Sequence, residues 1–208
     1  MEFREVLRHR RMVRNYLPDR VSTESLERIV QAARRAPSAG YSQGTAFVVV
    51  TDASLRQAIA DLCHEPEYVA AGFDPWISRA PAHVVVCISE TAYHDRYRES
   101  DKVDDDGNEI DWPVPFWWID AGAALMLVLL AAVDEGLAAG FLGVAADDLQ
   151  SLLGIPPVMV PIGIVTIGRP APDRRSGSLK RGWRSDDQVI HWETWDGIAT
   201  PEGLEGPG

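Results

Sequence analysis

The spacing of apolar residues along the chain predicts helices interspersed with short strands. One amphipathic helix is expected after Ser22 or Thr23, either of which can cap it, and it should end before Pro37. The continuous apolar character of residues 83–88 indicates a strand buried on both faces. Two further runs, residues 46–50 and 160–167, predict strands as well. The buried face of the helix is marked by four apolar residues at helical spacing: Leu26, Ile29, Val30 and Ala33.

The remaining patterns predict further helices and one extended segment. Residues 2–11 and the region of Leu55, Ile59 and Leu62 are expected to be helical. Asp147 is suited to cap a short helix that Gly154 closes. Residues 188–195 are expected to form a final extended piece.

A long helix is predicted over residues 119–139, and it is apolar nearly all the way round between residues 121 and 133. A helix without a solvated face is buried in a core or in a subunit interface, and in so small a chain we favour the interface. The same apolar stretch is shorter than the about 20 residues that cross a bilayer unaided, so no membrane span is expected.

Residues 89–111 interrupt the periodic pattern. Between Asp95 and Asp111 there are eight acidic and three basic residues with no clear period. This composition predicts an exposed, mobile insertion that could serve as a lid. The chain shows no linker or repeat, so residues 1–195 are predicted to form a single α+β layered domain, followed by a disordered tail at residues 196–208.

Charge and composition exclude several classes of protein. The chain has 208 residues, with 20 Lys and Arg against 31 Asp and Glu, and a formal net charge of -11. Nucleic acids and anionic membranes are therefore not expected as partners. Residues 1–4 carry charges where a signal peptide has its apolar core, so a soluble cytoplasmic protein is expected. No metal site is predicted, because the histidines are scattered and Cys63-His64-Glu65 lacks a second ligand pair.

Arginine is concentrated in two distant segments of this acidic chain. The first is Arg10-Arg11-Met12-Val13-Arg14, and the second is Lys180-Arg181-Gly182-Trp183-Arg184. Two such segments can converge on one anion, such as a phosphate. They can equally be two solvated basic loops.

The order of the motifs resembles that of the FMN-dependent nitroreductase family over nearly the whole chain. Residues 10–14 (RRMVR) resemble the opening R-[RH]-S-x-[RK] signature, and residues 36–43 (APSAGYSQ) resemble the A-P-S-[SA]-x-N-x-Q loop. Gly140-Phe141-Leu142-Gly143 resembles the flavin-facing turn, and residues 161–168 (PIGIVTIG) resemble the late strand. Each motif is weak alone, but four of them in the correct order and spacing make the resemblance specific.

The resemblance implies a central mixed, mainly antiparallel sheet flanked by helices, in a domain-entwined homodimer with an FMN at each of two subunit interfaces. By this analogy Arg10, with one or both of Arg181 and Arg184, holds the FMN phosphate. Arg11 and Met12 lie along the ribityl chain, and Arg14 approaches the pyrimidine edge and supports the reduced flavin. The other implied contacts are Pro37, Ser38 and Ala39 near the ring, Gln43 within that loop, and backbone groups of Leu142 and Gly143 near the flavin N5 and O4.

Some residues depart from the family pattern. Met12 replaces the usual serine, Tyr41 the usual asparagine, and Gly44-Thr45 a common Pro-Trp pair, which could alter substrate choice. The alignment around Trp183 leaves the choice between the two C-terminal arginines open. The residues expected to line a pocket for flat acceptors are Tyr41, Trp112, Trp117 and Trp118, the alternative for the tryptophans being ordinary core or dimer packing.

The resemblance implies an oxidoreductase that uses NAD(P)H to reduce nitroaromatic, quinone or related flat acceptors by a ping-pong mechanism. No catalytic side chain is needed, because the flavin N5 carries the chemistry. One alternative is another reaction of the superfamily, such as that of the flavin-cleaving synthase of the vitamin B12 lower ligand, that of iodotyrosine deiodinase, or a biosynthetic oxidation. The other alternative is a non-catalytic module that binds or stores flavin.

Overall fold

The structure is a computed structural model that describes residues 1–174 and 176–195. It divides into two compact units, Met1–Asp173 and a second unit that begins at Arg174. In the second unit the described residues contain two short 3₁₀ helices, Gly177–Arg181 and Asp186–Gln188. The single domain expected over residues 1–195 stays a prediction, and the tail expected at residues 196–208 lies outside the described residues.

The α-helices all lie in the first unit among the described residues. The Ser22 hydroxyl accepts a hydrogen bond from the Ser25 backbone N–H, which confirms the predicted cap of the second helix. Asp52 caps the third helix in the same way through the N–H groups of Ser54 and Leu55. The helices are α1 (Phe3–His9), α2 (Thr23–Ala33), α3 (Ala53–Leu62), α4 (Glu65–Ala70), α5 (Trp76–Arg79), α6 (Glu90–Tyr97), α7 (Phe116–Asp134) and α8 (Ala146–Leu153).

A four-stranded sheet separates the helices into two layers. The strands are β1 (Thr45–Val50), β2 (Ala82–Ile88), β3 (Ala138–Leu142) and β4 (Val160–Gly168), and their order in the sheet is β1-β2-β4-β3. All three pairings are antiparallel. Every residue of β2 is buried, as its continuous apolar run predicts. The predicted α+β class and mainly antiparallel sheet are confirmed.

Alternate residues of β2 supply two separate cores, one on each face of the sheet. Ala82, Val84 and Val86 pack in a cluster that includes residues of α2 and α7. Val85 and Cys87 pack in the opposite cluster with residues of α3 and α8. Cys87 is therefore the small core residue that its place in an apolar strand indicates.

The long apolar helix differs at both ends from its prediction. It spans Phe116–Asp134, and the segment expected to continue it to residue 139 instead forms β3. Gly136 ends the helix with a left-handed backbone (φ 72°), and Leu137 N–H donates to the Ala132 carbonyl, 2.9 Å away. A turn at Gly136 therefore directs the chain back into the sheet, and Leu142 is the last residue of a strand rather than part of a turn.

Three further predictions are wrong in part. Residues 90–97 of the predicted insertion form α6, because Ser89 caps it and Tyr93 is fully buried on its inner side. Asp147 lies inside the first turn of α8, and Ala145 takes the cap position. No strand forms over residues 188–195, where the chain leaves the second 3₁₀ helix through bends and turns. Gly154 closes α8 with a left-handed backbone, as predicted.

By length and composition alone, α7 is the one helix of the described residues that could cross a membrane. Its inner face belongs to the protein core, because Ala124, Val128 and Ala132 are fully buried. Its other face exposes Trp118, Ile119 and Met126. The helix therefore has a buried face and an exposed apolar face, which the sequence pattern alone did not separate.

Acidification should destabilise the fold through His83, which opens β2 in a fully buried position. Its Nε2 lies 2.8 Å from the Ile77 carbonyl oxygen, and burial lowers its pKa from 6.5 to about 4. Below pH 6.5 the His83 imidazole therefore binds a proton in the unfolded chain but not in the folded chain. The contribution of neutral His83 to the stability of the fold is complete above pH 6.5 and falls as the pH approaches 4. We expect a loss of about 2 kcal/mol between pH 7 and pH 5, measured by urea unfolding.

The matched test of this pH dependence is His83→Gln, which keeps a side-chain donor but cannot titrate. This variant should show a smaller loss of stability between the two pH values. His9→Gln changes an exposed ring at the end of α1 and should keep the wild-type difference. Equal pH dependence in all three proteins would contradict the assignment to His83.

Candidate functional site

The basic segment of residues 10–14 runs along the free edge of β3. Met12 forms a parallel bridge with Ala139, and the Val13 N–H donates to the Ala139 carbonyl, 3.0 Å away. Gly140 permits this close approach, because a Cβ at that position would collide with the Val13 carbonyl oxygen. The segment is thus held against β3 by backbone contacts.

The arginines of this segment differ in exposure. Arg10 is half-buried at the end of α1, whereas Arg11 and Arg14 are exposed. Asp173 receives the Arg14 backbone N–H at 2.9 Å and lies 3.9 Å from the Arg11 guanidinium. The Arg14 guanidinium lies 5.8 Å from the centre of the Trp76 ring. One carboxylate offsets only part of three positive charges, so the segment can bind an anion.

The loop that contains Pro37–Gln43 has an unusual backbone. Gly40, Tyr41 and Gln43 all adopt left-handed conformations, with φ values of 61°, 60° and 52°. A tyrosine and a glutamine rarely adopt this region, whereas asparagine tolerates it better. The loop closes on itself, since the Gln43 N–H donates to the Ser38 hydroxyl at 2.7 Å. The backbone conformation at Tyr41 therefore explains why the family motif has an asparagine at this position.

Tyr41→Asn should consequently stabilise the protein. The Tyr41 ring is exposed, so little packing is lost, and asparagine reduces the cost of the left-handed backbone. We expect the free energy of unfolding to rise by roughly 0.5 to 1 kcal/mol in urea titrations. Tyr68→Asn, at an exposed position of helix α4, should give no gain, and a gain of equal size there would contradict the conformational explanation.

Two residues that the sequence analysis missed anchor this loop from below. Asp120 of α7 accepts hydrogen bonds at its Oδ2 from the Ala39 N–H at 2.9 Å and from the Tyr93 hydroxyl at 2.8 Å. Burial, together with the bond to Asp120, raises the pKa of Tyr93 above its usual range. The sequence does mark Asp120, because it is the only charged residue between Phe116 and Val133.

The aromatic residues expected to line a pocket divide into two sets. Trp112 and Trp117 pack with Tyr93, their ring centres 6.3 and 6.1 Å from the tyrosine ring. Trp118 and Tyr41 are instead exposed. The Trp117 indole N–H is buried without a hydrogen-bond partner among the described residues. The structure thus separates a packed aromatic cluster from two exposed rings.

Glu109 ties the end of the acidic segment to this aromatic cluster. It accepts a hydrogen bond from the Trp112 indole N–H at 2.7 Å and pairs with Arg98 at 3.0 Å. Glu109 also hydrogen-bonds to His94, and this contact raises the pKa of the His94 imidazole. The hydrogen bonds from the Trp112 indole and the His94 imidazole in turn lower the pKa of the Glu109 carboxyl group. The segment expected to be a mobile insertion is thus tethered at Glu109.

The remaining predicted residues lie elsewhere. Leu142 ends β3 opposite Ile164, and Gly143 follows it in an exposed position. Arg181 and Arg184 belong to the second unit, where both are exposed. Arg181 ends a 3₁₀ helix, and the Arg184 guanidinium donates to the Gln188 carbonyl oxygen.

Within the first unit, the basic segment and the loop lie at different ends of the sheet. Met12 bridges to Ala139, which lies level with Ile167 and Ala82. Ala39 packs against the cluster that contains Ile88, at the other end of β2. Ala82 and Ile88 are six residue steps apart along the extended strand, which corresponds to roughly 20 Å. One protomer therefore does not bring the two predicted halves of the site into contact.

Comparison with known proteins decides the family. The family model described as the nitroreductase family matches residues 7–169. The chain belongs to the nitroreductase family. This match covers the basic segment, the loop and β3, and it supports an oxidoreductase. It ends before Arg181 and Arg184, so the assignment of these arginines to the phosphate remains a prediction.

Individual relatives agree with the family assignment of this nitroreductase-family chain. A candidate NADH dehydrogenase/NAD(P)H nitroreductase of Archaeoglobus fulgidus is 30% identical over 89% of this chain and 94% of its own length. The FMN reductase [NAD(P)H] of Bacillus subtilis is 29% identical over 89% of this chain and 71% of its own length. The structure of NfrA1 from B. megaterium superposes with a TM-score of 0.71 at 25% identity, covering 93% of this chain and 75% of that chain.

Proposed function

We propose that this protein is an FMN-dependent oxidoreductase that uses NAD(P)H to reduce nitroaromatic, quinone or related flat acceptors. The observation that carries the proposal is the basic segment pinned to the edge of β3 in a chain of this family. Names of relatives that refer to FMN and NAD(P)H support the choice of cofactor and donor. A ping-pong exchange, with donor and acceptor using one pocket in turn, is part of the proposal.

The residues present fit FMN. Arg10, Arg11 and Arg14 supply cations from a segment whose backbone is already fixed, which suits a phosphate and a polar chain. The loop of Pro37, Ser38 and Ala39 offers small side chains that leave space beside a flat ring. When bound, FMN supplies hydride transfer between the nicotinamide and the acceptor.

The chain's own residues would orient the cofactor and adjust its electrostatics. Arg10, with one or both of Arg181 and Arg184, would hold the phosphate, and Arg11 and Met12 would line the ribityl chain. Arg14 would offset the negative charge that the pyrimidine edge gains on reduction. Gln43 would help to fix the loop, while Leu142 and Gly143 would present backbone groups at the flavin N5 and O4. The exposed rings of Tyr41 and Trp118 are better placed to contact the acceptor than the buried ring of Trp117. The ring of Trp112 is intermediate in exposure.

We propose that the protein is a homodimer, and the separation of the two half-sites supports this. A gap of roughly 20 Å along the strands is too wide for one flavin ring to touch both the basic segment and the loop of the same protomer. Two copies can place the basic segment of one protomer beside the loop of its partner. The exposed apolar side chains of Ile119 and Met126 on α7 provide surface that such a partner would cover.

An absorption spectrum tests the proposed function. The purified protein, supplied with FMN and freed of excess, should be yellow and should bleach under anaerobic NADH or NADPH. A nitroaromatic or quinone added anaerobically should restore the colour. Failure to bind FMN would overturn the proposal. Tight FMN binding with no reduction by either nucleotide would favour the storage module, and loss of the flavin itself during aerobic turnover would favour the flavin-cleaving reaction.

A further inference from the structure

Asp120 is a buried carboxylate in an otherwise apolar part of α7. It is 6% exposed, and both donors that reach its Oδ2, the Ala39 N–H and the Tyr93 hydroxyl, are neutral groups. Placing a carboxylate in such surroundings is costly unless hydrogen bonds compensate for the lost water. Its two bonds join three distant parts of the chain, namely the loop before β1, helix α6 and helix α7. This arrangement indicates a specific role for the position.

The loop that Asp120 holds cannot be maintained by its local sequence preferences alone. Three of its residues have left-handed backbones, and a segment of this kind persists only when its surroundings fix it. Asp120 fixes the start of the loop at Ala39. The Arg96 guanidinium fixes the middle, donating from Nε to the Gly40 carbonyl at 2.9 Å.

Helix α6 also fits tightly against the loop through its tyrosines. A Cβ at Gly44 would collide with the Tyr93 ring and the Ser89 carbonyl oxygen. A Cβ at Gly40 would collide with the Tyr97 ring. The helical part of the segment that the sequence marks as a mobile insertion is therefore a platform for the loop.

We propose that Asp120 and Tyr93 are positioning residues of the flavin site, which set the Pro37–Gln43 loop in the conformation that meets the isoalloxazine ring. Neither residue is assigned contact with the flavin or a role in the chemistry. Asp120 acts by accepting a hydrogen bond from the Ala39 N–H. Tyr93 acts through its ring, which lies against Gly44. The inference rests on the proposed function, because it assigns these residues to the FMN site of that proposal.

Three substitutions separate the hydrogen bonds from the charge and from the fold. Asp120→Asn keeps an acceptor oxygen but removes the charge, Asp120→Ala removes both, and Tyr93→Phe removes only the hydroxyl. Tyr68→Phe and Asp147→Ala are the matched controls, because they remove the same groups at exposed positions of other helices. FMN dissociation constants would be measured by fluorescence quenching, and protection of the residue 39–43 amides by hydrogen exchange.

Asp120→Ala should raise the FMN dissociation constant about tenfold, equivalent to about 1.4 kcal/mol, and accelerate exchange at the Ala39 amide. Tyr93→Phe should have the same direction with a smaller effect, and Asp120→Asn should remain within about threefold of wild type. Both controls should match wild type. The expected pattern includes altered fine structure of the flavin absorption band in Asp120→Ala but not in Asp120→Asn.

The outcomes distinguish this inference from the function on which it rests. If the wild type binds no FMN, the proposed function itself fails. If the wild type binds FMN and Asp120→Ala and Tyr93→Phe bind it equally well, the positioning role is overturned. Equal defects in Asp120→Asn and Asp120→Ala would also overturn it, because the acceptor would then not be the relevant property. If Asp120→Ala does not fold, Tyr93→Phe and Asp120→Asn decide the question through the same binding and exchange measurements.

Discussion

Replacing Arg10 and Arg181 together by alanine should weaken FMN binding by about a thousandfold. Each guanidinium is proposed to make a charge-assisted bond to the phosphate, and a bond of this type contributes about 1.5 to 3 kcal/mol. Loss of two such bonds amounts to about 4 kcal/mol, which is three orders of magnitude in the dissociation constant. Fluorescence titration with FMN would measure the change, and riboflavin, which lacks the phosphate, should show little difference between variant and wild type.

The control for this experiment removes the same charge from neighbouring positions. Arg4→Ala with Lys180→Ala takes one exposed cation from α1 and one from the second unit. This pair should change the dissociation constant by only a few-fold, because general attraction of the phosphate is weak and screened by salt. Retained FMN affinity in the Arg10 and Arg181 double variant would rule out these two arginines as the phosphate anchors.

Elements with one clear hydrophobic pattern could be predicted from the sequence. Helix α2 has apolar residues at helical spacing and a capping serine, and the structure places both as expected. Strand β2 is a continuous apolar run, which favours a strand buried on both faces, and every residue of the strand is buried. In these elements the local preference and the tertiary environment favour the same structure.

The end of α7 could not be read from the same pattern. Apolar residues continue through the turn into β3, so periodicity gives no boundary, and Ala138-Ala139-Gly140 has weak strand preference. Strand β3 forms because it pairs with β4 and is contacted by residues 12–13, which are distant in sequence. The signal for the boundary was Gly136, which takes the left-handed position after the helix.

The motifs of the candidate site were predictable from the sequence, whereas the residues that support its loop were not. The basic segment and the small-residue loop have motifs that can be recognised in the sequence, and the structure gives each a defined backbone. The support beneath the loop was not predictable, because Tyr93 lies in a segment dominated by charge and Asp120 in one dominated by apolar residues. Only the three-dimensional structure brings together one residue from each segment with Ala39.

Gly140→Ala should destabilise the protein by about 3 kcal/mol and weaken FMN binding at the same time. The added methyl group would collide with the Val13 carbonyl oxygen and lie 3.0 Å from the Trp76 ring. Because the Val13 oxygen belongs to a backbone held against β3, relief requires movement of the whole segment that carries Arg10 and Arg14. Urea unfolding should show the loss of stability, and FMN titration under native conditions should show a raised dissociation constant.

Gly122→Ala is the matched control, since a Cβ there meets nothing within 4 Å and lies within helix α7, where alanine is favoured by about 1 kcal/mol. Wild-type stability and FMN affinity in Gly140→Ala would contradict the close packing of residues 12–13 against β3.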